Sequence, residues 1–172
     1  MLQKFLILFK YGYPNFWCKK NNLIEKIIIF ILLPFSFLYF LISKIEQKTK
    51  KKNKVGIPVI CIGNINAGGS GKTPFAIYLA NFLKKRKINP HIISRGYLGK
   101  LQGPIKVNSK KHSSDDVGDE ALLLASATDT WVSKNKFDGV VKATLNGADV
   151  IILDDGLQNN SIYQDLKILI VD

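Results

Sequence analysis

A glycine-rich turn between a strand-like run and a helical stretch constrains this 172-residue chain more than any other feature. Residues 58–63 (PVICIG) form a short apolar run typical of a buried strand, and a helical stretch begins at Thr73. The turn between them reads Asn66-Ala67-Gly68-Gly69-Ser70-Gly71-Lys72. A strand, such a turn and a helix, in that order, are the context of a phosphate-binding loop. The pattern therefore predicts an α/β fold of the P-loop NTPase type.

The region from residue 55 to residue 172 alternates strand-like runs with helical stretches. Predicted strands cover residues 58–63, 90–94, 131–132, 149–153 and 166–171, and predicted helices cover residues 73–87, 120–127 and 137–146. The strands are almost continuously apolar, which is typical of a parallel sheet buried on both faces. We therefore predict one domain over residues 55–172, with a largely parallel sheet and helices on both of its faces.

The glycine-rich turn is the predicted phosphate site. Its glycines let successive backbone N–H groups face a phosphate, and the start of the helix adds a positive dipole. We expect Lys72 to reach the β- and γ-phosphates and the Thr73 hydroxyl to hold Mg²⁺. Asn66 replaces the usual first glycine, so an ordinary glycine-rich turn is the alternative. The predicted binding residues are Asn66, Ala67, Gly68, Gly69, Ser70, Gly71, Lys72 and Thr73.

Two adjacent carboxylates follow the apolar run at residues 151–153. An acid at a strand tip, downstream of a phosphate loop, is the Walker-B arrangement, which faces Mg²⁺. Asp154 and Asp155 are therefore predicted metal ligands, and the sequence does not decide which of them binds the ion. A simple strand terminator is the alternative, but two acids followed by Gly156 favour a metal or catalytic role.

Two further polar segments lie near predicted element ends. Ser94-Arg95-Gly96-Tyr97 follows the second strand, so Arg95 is placed to hold a phosphate or to stabilise transferring charge. A surface turn is the alternative for that segment. Asp119 precedes a helical run, and the residues alone favour an N-terminal cap there, because a carboxylate satisfies the unpaired N–H groups of the first turn.

The first 54 residues contain an uncharged apolar run at residues 27–42 (IIIFILLPFSFLYFLI). As a helix the run would be about 24 Å long, against a bilayer core of about 30 Å. Lysines flank it on both sides without the asymmetry that orients a spanning helix. We therefore predict a membrane-anchor helix that lies in the interface or re-enters it, with Pro34 causing a kink or separating two short helices. A buried helix of a soluble protein is the alternative.

The chain has a formal net charge of +12, which favours an anionic partner such as nucleic acid, an acidic membrane surface or a phosphorylated substrate. Much of that charge flanks the apolar run, so we predict an anionic membrane surface as a partner and no nucleic acid. The two cysteines, Cys18 and Cys61, match no metal-binding spacing. Cys61 lies in an apolar strand and is expected to be a buried thiol.

Together these segments resemble the tetraacyldisaccharide 4'-kinase family of lipid A biosynthesis. The matching segments, in the family's order, are residues 14–17, the apolar run, and residues 63–74, 94–97, 118–120 and 154–158. The family's loop also lacks the first Walker glycine, so Asn66 fits it. Ala121 stands where the family has proline, and Asn159-Asn160-Ser161 stand where it usually has histidine and basic residues.

The resemblance implies an enzyme on the cytoplasmic face of a bacterial inner membrane. Such an enzyme moves the γ-phosphate of ATP to the 4'-hydroxyl of a tetraacylated glucosamine disaccharide 1-phosphate. It implies ATP and Mg²⁺ as cofactors, with Lys72 and the loop amides on ATP, and with Thr73 and one carboxylate of the aspartate pair on the metal. It also replaces the cap interpretation, because Asp119 becomes the base that accepts the 4'-hydroxyl proton, while Arg95 contacts phosphate.

The chain ends at Asp172, directly after a predicted strand. In open α/β sheets the functional residues lie just beyond the carboxyl ends of the strands, so a loop with such residues should follow. That ending predicts an N-terminal fragment of a longer protein, without the family's second half. Two other functions stay open: a partner-regulated P-loop ATPase or GTPase, and a fragment that binds nucleotide without turnover. The sequence leaves the oligomeric state and the acyl-chain preference open.

Overall fold

The structure, a computed structural model, describes residues 23–49, 52–64, 71–157, 159 and 161–171. The chain divides into two compact units, Met1–Thr49 and Lys50–Asp172, which are described separately here. Of the segments that carry the sequence expectations, residues 14–17, Cys18 and the loop residues 65–70 lie outside the described residues.

The first unit contains one described helix, α1 (Leu23–Thr49), of 27 residues. It runs through Pro34 as a single element and not as two short helices. Its described apolar side chains are largely exposed, with Phe30 at 79% and Phe35 at 66%. In the part of the chain that the structure describes, no helix is both long enough and apolar enough to cross a membrane.

The second unit is built on a sheet whose six described strands lie in the order β3-β4-β2-β5-β1-β6. The strands are β1 (Val59–Asn64), β2 (Pro90–Ser94), β3 (Ile105–Lys106), β4 (Thr130–Val132), β5 (Val150–Asp154) and β6 (Leu166–Ile170). These strands pair in parallel, apart from β3, which is antiparallel to β4. Because β5 lies between β1 and β2 and is parallel to both, the carboxyl ends of the three strands meet at one edge of the sheet.

Helices cover both faces of this sheet, as the sequence predicts. The helices of the unit are α2 (Lys72–Lys84), α3 (Ser114–Val117), α4 (Asp119–Ala125) and α5 (Lys136–Leu145). Successive residues of β5 serve opposite faces: Ile151 packs in the cluster that contains α5, and Ile152 in the cluster that contains α2 and α4. Burying a side chain of this size contributes about 1.5–3 kcal/mol to the free energy of unfolding. The central strands therefore stabilise the packing of both helical layers on the sheet.

The predicted strands and helices are present, with ends shifted by a few residues, as is usual for sequence-based boundaries. Two short elements were not predicted. The strand β3 has 2 residues, too few to show an alternating pattern. The helix α3 has 4 residues and begins with a capping box. The Ser113 backbone N–H donates to the Asp116 carboxylate, and the Ser113 side chain accepts from the Asp116 backbone N–H. The buried thiol expected at Cys61 is confirmed, and burial raises its pKa.

His91 is a fully buried polar residue in β2. Its Nδ1 atom accepts a hydrogen bond of 3.2 Å from the Trp131 indole nitrogen, and the two rings stack. Burial lowers the pKa of His91 below its ordinary value, although Asp129, whose carboxylate lies 3.5 Å from Nε2, opposes that shift. The fold therefore favours the neutral imidazole.

The lowered pKa of His91 predicts a pH-dependent stability. Below about pH 6.5 the unfolded chain binds a proton that the folded His91 resists, so the free energy of unfolding should fall on acidification. In His91→Gln this contribution is absent, and the free energies of the two proteins should converge as the pH falls from about 7.5 to about 5. Urea denaturation across that range measures the difference, and His112→Gln is the control because it leaves the pair with Trp131 intact. Parallel pH profiles for wild type and His91→Gln would contradict the prediction.

Candidate functional site

A cavity of about 740 Å³ opens where the carboxyl ends of the central strands meet. It is lined by Lys72, Ser94, Arg95, Tyr97, Glu120, Lys134, Lys136, Asp154, Asp155 and Asn159. This edge is where open α/β sheets bind their ligands. The structure therefore brings together Lys72, Arg95 and the aspartate pair, which the sequence singled out on three separate segments.

Gly71 and Lys72 connect the loop to α2. Gly71 precedes the helix with φ of 75°, a left-handed conformation that glycine adopts without steric cost. The Lys72 ammonium donates a hydrogen bond of 2.7 Å to the Asn64 side-chain oxygen at the end of β1. It also lies 3.7 Å from a carboxylate oxygen of Asp155. The lysine thus spans the space between the strand that enters the loop and the acidic pair.

The remaining loop predictions have different outcomes. The residues Asn66, Ala67, Gly68, Gly69 and Ser70 lie outside the described residues, so their phosphate contacts stay predictions. Thr73 is half-buried in the first turn of α2 and is not among the residues that line the cavity. Its contact with a metal ion therefore also stays a prediction.

The two aspartates have different environments. Asp154 ends β5, is buried, and has a carboxylate oxygen without a hydrogen-bond partner among the described residues. Burial raises the pKa of Asp154 to about 6, against the opposing charge of Lys136. Asp155 is exposed, has a left-handed backbone (φ 49°) and faces Lys72.

This pair fits a hard cation such as Mg²⁺. The unpaired buried oxygen of Asp154 is a carboxylate ligand of the kind that Mg²⁺ prefers. Within the described residues, no group of 3 or more His, Cys, Asp or Glu side chains gathers as a metal cluster. A nucleotide-site Mg²⁺ needs no such cluster, because it takes one or two carboxylates and completes its shell with phosphate and water.

Lys136 is a buried cation that the sequence analysis missed. It begins α5, where Asn135 caps the helix by accepting a hydrogen bond from the Phe137 backbone N–H. Its ammonium donates to the backbone carbonyl oxygens of Asp154 and Asp155, the second at 2.8 Å. Burial lowers the pKa of Lys136, and the two carboxylates oppose that shift. A single lysine in a weakly helical stretch carries no motif, so only its position after β4 could have drawn attention to it.

Arg95 and Asp119 lie in different parts of the site. Arg95 is exposed and lines the large cavity directly after β2. Asp119 lines a second hollow of about 260 Å³, together with Tyr97, Leu98, Ser114, Asp115, Gly118 and Glu120. Because Tyr97 and Glu120 line both spaces, the two hollows adjoin.

The cap interpretation of Asp119 is wrong. The cap position of α4 belongs to Gly118, whose backbone has φ of 85°, and no side chain caps this helix end by a hydrogen bond. Asp119 is instead the first helical residue, with an exposed carboxylate. Its side chain is therefore not committed to the helix and is accessible from the smaller hollow.

Glycine at position 63 lets the turn after β5 lie against β1. A Cβ atom at Gly63 would come within 2.4 Å of the Leu157 side chain, well inside van der Waals contact. The Gly156 backbone N–H donates to the Ile62 carbonyl oxygen at 3.3 Å in the same region. The close approach fixes the acidic turn beside the start of the phosphate loop.

Comparison with known proteins gives a consistent result. The family model described as tetraacyldisaccharide-1-P 4'-kinase matches residues 28–172. The chain is 42% identical over 159 residues to the tetraacyldisaccharide 4'-kinase of Parvibaculum lavamentivorans, covering 92% of this chain and 46% of that protein. It is also 42% identical to the protein of the same name from a Jannaschia species, with 92% and 47% covered. The chain thus spans about half the length of these curated relatives.

A solved structure has the same fold. The crystal structure of the "apo" form of LpxK from Aquifex aeolicus in complex with ATP matches with a TM-score of 0.70 and 37% identity. The match covers 83% of this chain and 48% of that one. It confirms the predicted α/β architecture for the region that carries the candidate site.

The contact between Gly63 and Leu157 predicts the effect of a single methyl group. Gly63→Ala should lower the free energy of unfolding by about 1–3 kcal/mol, because Leu157 must move to admit the new Cβ atom. It should also weaken ATP binding, since the acidic turn shifts with Leu157. Urea denaturation and titration with a fluorescent ATP analogue measure the two effects.

Two further variants identify the cause. Gly56→Ala is the matched control, because nothing lies within 4 Å of the new methyl group. Adding Leu157→Ala to Gly63→Ala removes the clashing side chain, so the double variant should lose less stability than the two single losses combined. Strict additivity would show that the contact does not set the position of the turn.

Proposed function

The chain belongs to the tetraacyldisaccharide-1-P 4'-kinase family, and we propose that it supplies the nucleotide-binding part of such a kinase. The proposed reaction transfers the γ-phosphate of ATP to the 4'-hydroxyl of a tetraacylated glucosamine disaccharide 1-phosphate. The observation that carries the proposal is the convergence of Lys72 with Asp154 and Asp155 at the carboxyl edge of the sheet. Phosphoryl transfer needs these groups together: a cation on the phosphates and a carboxylate for the metal.

ATP would bind with its phosphates in the large cavity. Lys72 and the loop amides would hold the β- and γ-phosphates, and Arg95 lines the same space from the end of β2. Asp154, together with Thr73, would hold Mg²⁺, which when bound neutralises charge on the β- and γ-phosphate oxygens. Of the two aspartates we assign the metal to Asp154, because its buried oxygen lacks a partner while Asp155 already faces Lys72.

The acceptor sugar would enter from the smaller hollow. The 4'-oxygen forms a bond to the γ-phosphorus, the bond from that phosphorus to the bridging oxygen breaks, and ADP leaves. Asp119 would accept the hydroxyl proton, since its carboxylate is exposed and not used by the helix end. The shared wall of Tyr97 and Glu120 lets the base and the phosphates act on one acceptor from adjoining spaces.

The proposal is tested by transfer of label from γ-labelled ATP to a detergent-dispersed tetraacyl disaccharide 1-phosphate. Lys72→Ala should abolish transfer and weaken ATP binding. Asp119→Asn should reduce transfer by about 10²–10⁴-fold and leave ATP binding intact, because it removes only the base. Asp115→Asn, in the same hollow, is the matched control and should keep transfer.

Because the chain spans about half of its relatives, the same assay is to be run on a chain extended beyond residue 172. Transfer only by the extended protein would place part of the acceptor site outside this chain. No transfer by either form would refute the proposed reaction. ATP or GTP hydrolysis stimulated by a protein partner, without any lipid acceptor, would favour a regulated P-loop switch instead.

We also propose that residues 1–54 hold the protein on an anionic membrane surface, on the cytoplasmic side of the inner membrane, where its acylated acceptor would lie. Support comes from the exposed apolar side chains of α1, Phe30 and Phe37 among them, and from the lysines that flank the apolar run. An in-plane helix uses both features, since its apolar face enters the interface while the lysines meet acidic headgroups.

Co-sedimentation with lipid vesicles tests this association. The protein should bind vesicles that contain acidic lipids more strongly than zwitterionic vesicles, and added salt should weaken the binding. Phe30→Asn combined with Phe37→Asn should reduce binding, whereas Phe82→Asn on α2 is the control and should not. Equal binding to both kinds of vesicle would remove the electrostatic part of the proposal, and unchanged binding by the double variant would remove the part played by α1.

A further inference from the structure

We propose that Lys136 is a positioning residue: its buried ammonium fixes the turn that presents Asp154 and Asp155 to the nucleotide and its metal ion. The proposal rests on the proposed function, because it assigns a role within the same site. The sequence motifs do not include Lys136, and it acts through the two aspartates rather than on the phosphates.

The contacts of Lys136 are with the backbone of the acidic turn. Its ammonium donates to two successive carbonyl oxygens, those of Asp154 and Asp155, while the side chain as a whole is 6% exposed. The pairing of β1 with β5 ends at the register pair of Ile62 and Asp154. Lys136 therefore binds the chain at the end of the regular β1–β5 pairing, beside the backbone hydrogen bond of 3.3 Å from the Gly156 N–H to the Ile62 carbonyl oxygen.

The backbone conformation of Asp155 needs to be stabilised by other residues. Asp155 has φ of 49°, a conformation that costs a residue with a side chain free energy and persists only where the surroundings impose it. A donor to the carbonyl oxygens on both sides of the Asp155 α-carbon, those of Asp154 and Asp155, stabilises this conformation directly. The conformation also separates the two side chains, so that one carboxylate is buried and the other faces Lys72.

A charged donor is suited to this task. An ammonium buried without partners is costly, but here two carbonyl dipoles and two nearby carboxylates stabilise it. A neutral side chain of similar length would leave the two carbonyl oxygens without their donor. The position of the metal ligands thus depends on the Lys136 side chain in addition to the contact of Leu157 with Gly63.

Lys134 offers a matched comparison. It lines the same cavity two positions earlier, but it is exposed, and no hydrogen bond joins its side chain to the acidic turn among the described contacts. If the cavity needs only positive charge, neutralising either lysine should have the same effect. If the acidic turn needs the Lys136 ammonium as a hydrogen-bond donor, only the loss of Lys136 should lower the apparent Mg²⁺ affinity.

The test measures how Mg²⁺ affects ATP binding in Lys136→Met, Lys136→Arg and Lys134→Met. A fluorescent ATP analogue is titrated into the whole chain, with Mg²⁺ varied and with a chelator as the metal-free reference. We expect Lys136→Met to weaken the apparent Mg²⁺ affinity about 10–100-fold, as loss of a residue that orients metal ligands does, with metal-free binding nearly unchanged. Lys136→Arg should fall between wild type and Lys136→Met, because a guanidinium cannot place one nitrogen against both carbonyls. Lys134 lines the cavity proposed for ATP, so Lys134→Met should weaken ATP binding at most to the same degree with and without Mg²⁺, and its apparent Mg²⁺ affinity should match that of wild type.

Each outcome decides the proposal. Wild-type Mg²⁺ dependence in a folded Lys136→Met variant would overturn it, as would an equal loss in Lys134→Met. If Lys136→Met does not fold, Lys136→Arg decides, and wild-type Mg²⁺ dependence in that variant would overturn the proposal. Because the readout needs no lipid acceptor, failed phosphate transfer with intact Mg²⁺-dependent ATP binding would refute the kinase reaction and leave the role of Lys136 standing. No Mg²⁺-dependent binding in the wild type would refute both.

Discussion

The parallel pairing of β1 with β5 is the constraint on which the site depends. Its register sets Ile62 beside Asp154, so the strand that leads into the phosphate loop and the strand that ends in the acidic pair stop at the same level. Apolar packing on both faces holds these strands in place, through Cys61 and Leu153 on one side and Ile62 and Ile152 on the other. The polar groups of the site are therefore placed by a core in which they take no part.

Charge at this edge is balanced by contacts between segments distant in sequence. Lys72, from the start of α2, lies between Asn64 and Asp155, and Lys136, from the start of α5, binds the backbone of the turn after β5. Each cation thus joins a helix to the end of a strand. The Asp154 carboxylate is buried beside Lys136, whose charge opposes the effect of burial, yet burial dominates and raises the pKa of Asp154 to about 6.

The sequence predicts the parts of this site that follow from local pattern and from strand ends. Lys72, Arg95 and the aspartate pair were predictable because each follows a strand, and parallel strands end at a common edge. Lys136 was not, because its importance arises from a contact across 18 residues that no local pattern records. The residues alone favour a cap at Asp119, because a carboxylate before a helix usually is one, whereas the backbone gives that position to Gly118. The strand β3 was missed because its pairing with β4, and not its own two residues, defines it.

The hydrogen bond between Lys72 and Asn64 has a consequence for how two ligands bind together. The Lys72 ammonium already contacts Asn64 and Asp155, so an incoming phosphate would have to replace these two partners. The same exchange would separate Asp155 from its counter-charge, and its negative charge would then attract a metal ion bound next to it at Asp154. In the proposed site, nucleotide and metal would thereby favour each other's binding through a shared lysine, and by thermodynamic reciprocity the two effects would be equal in size.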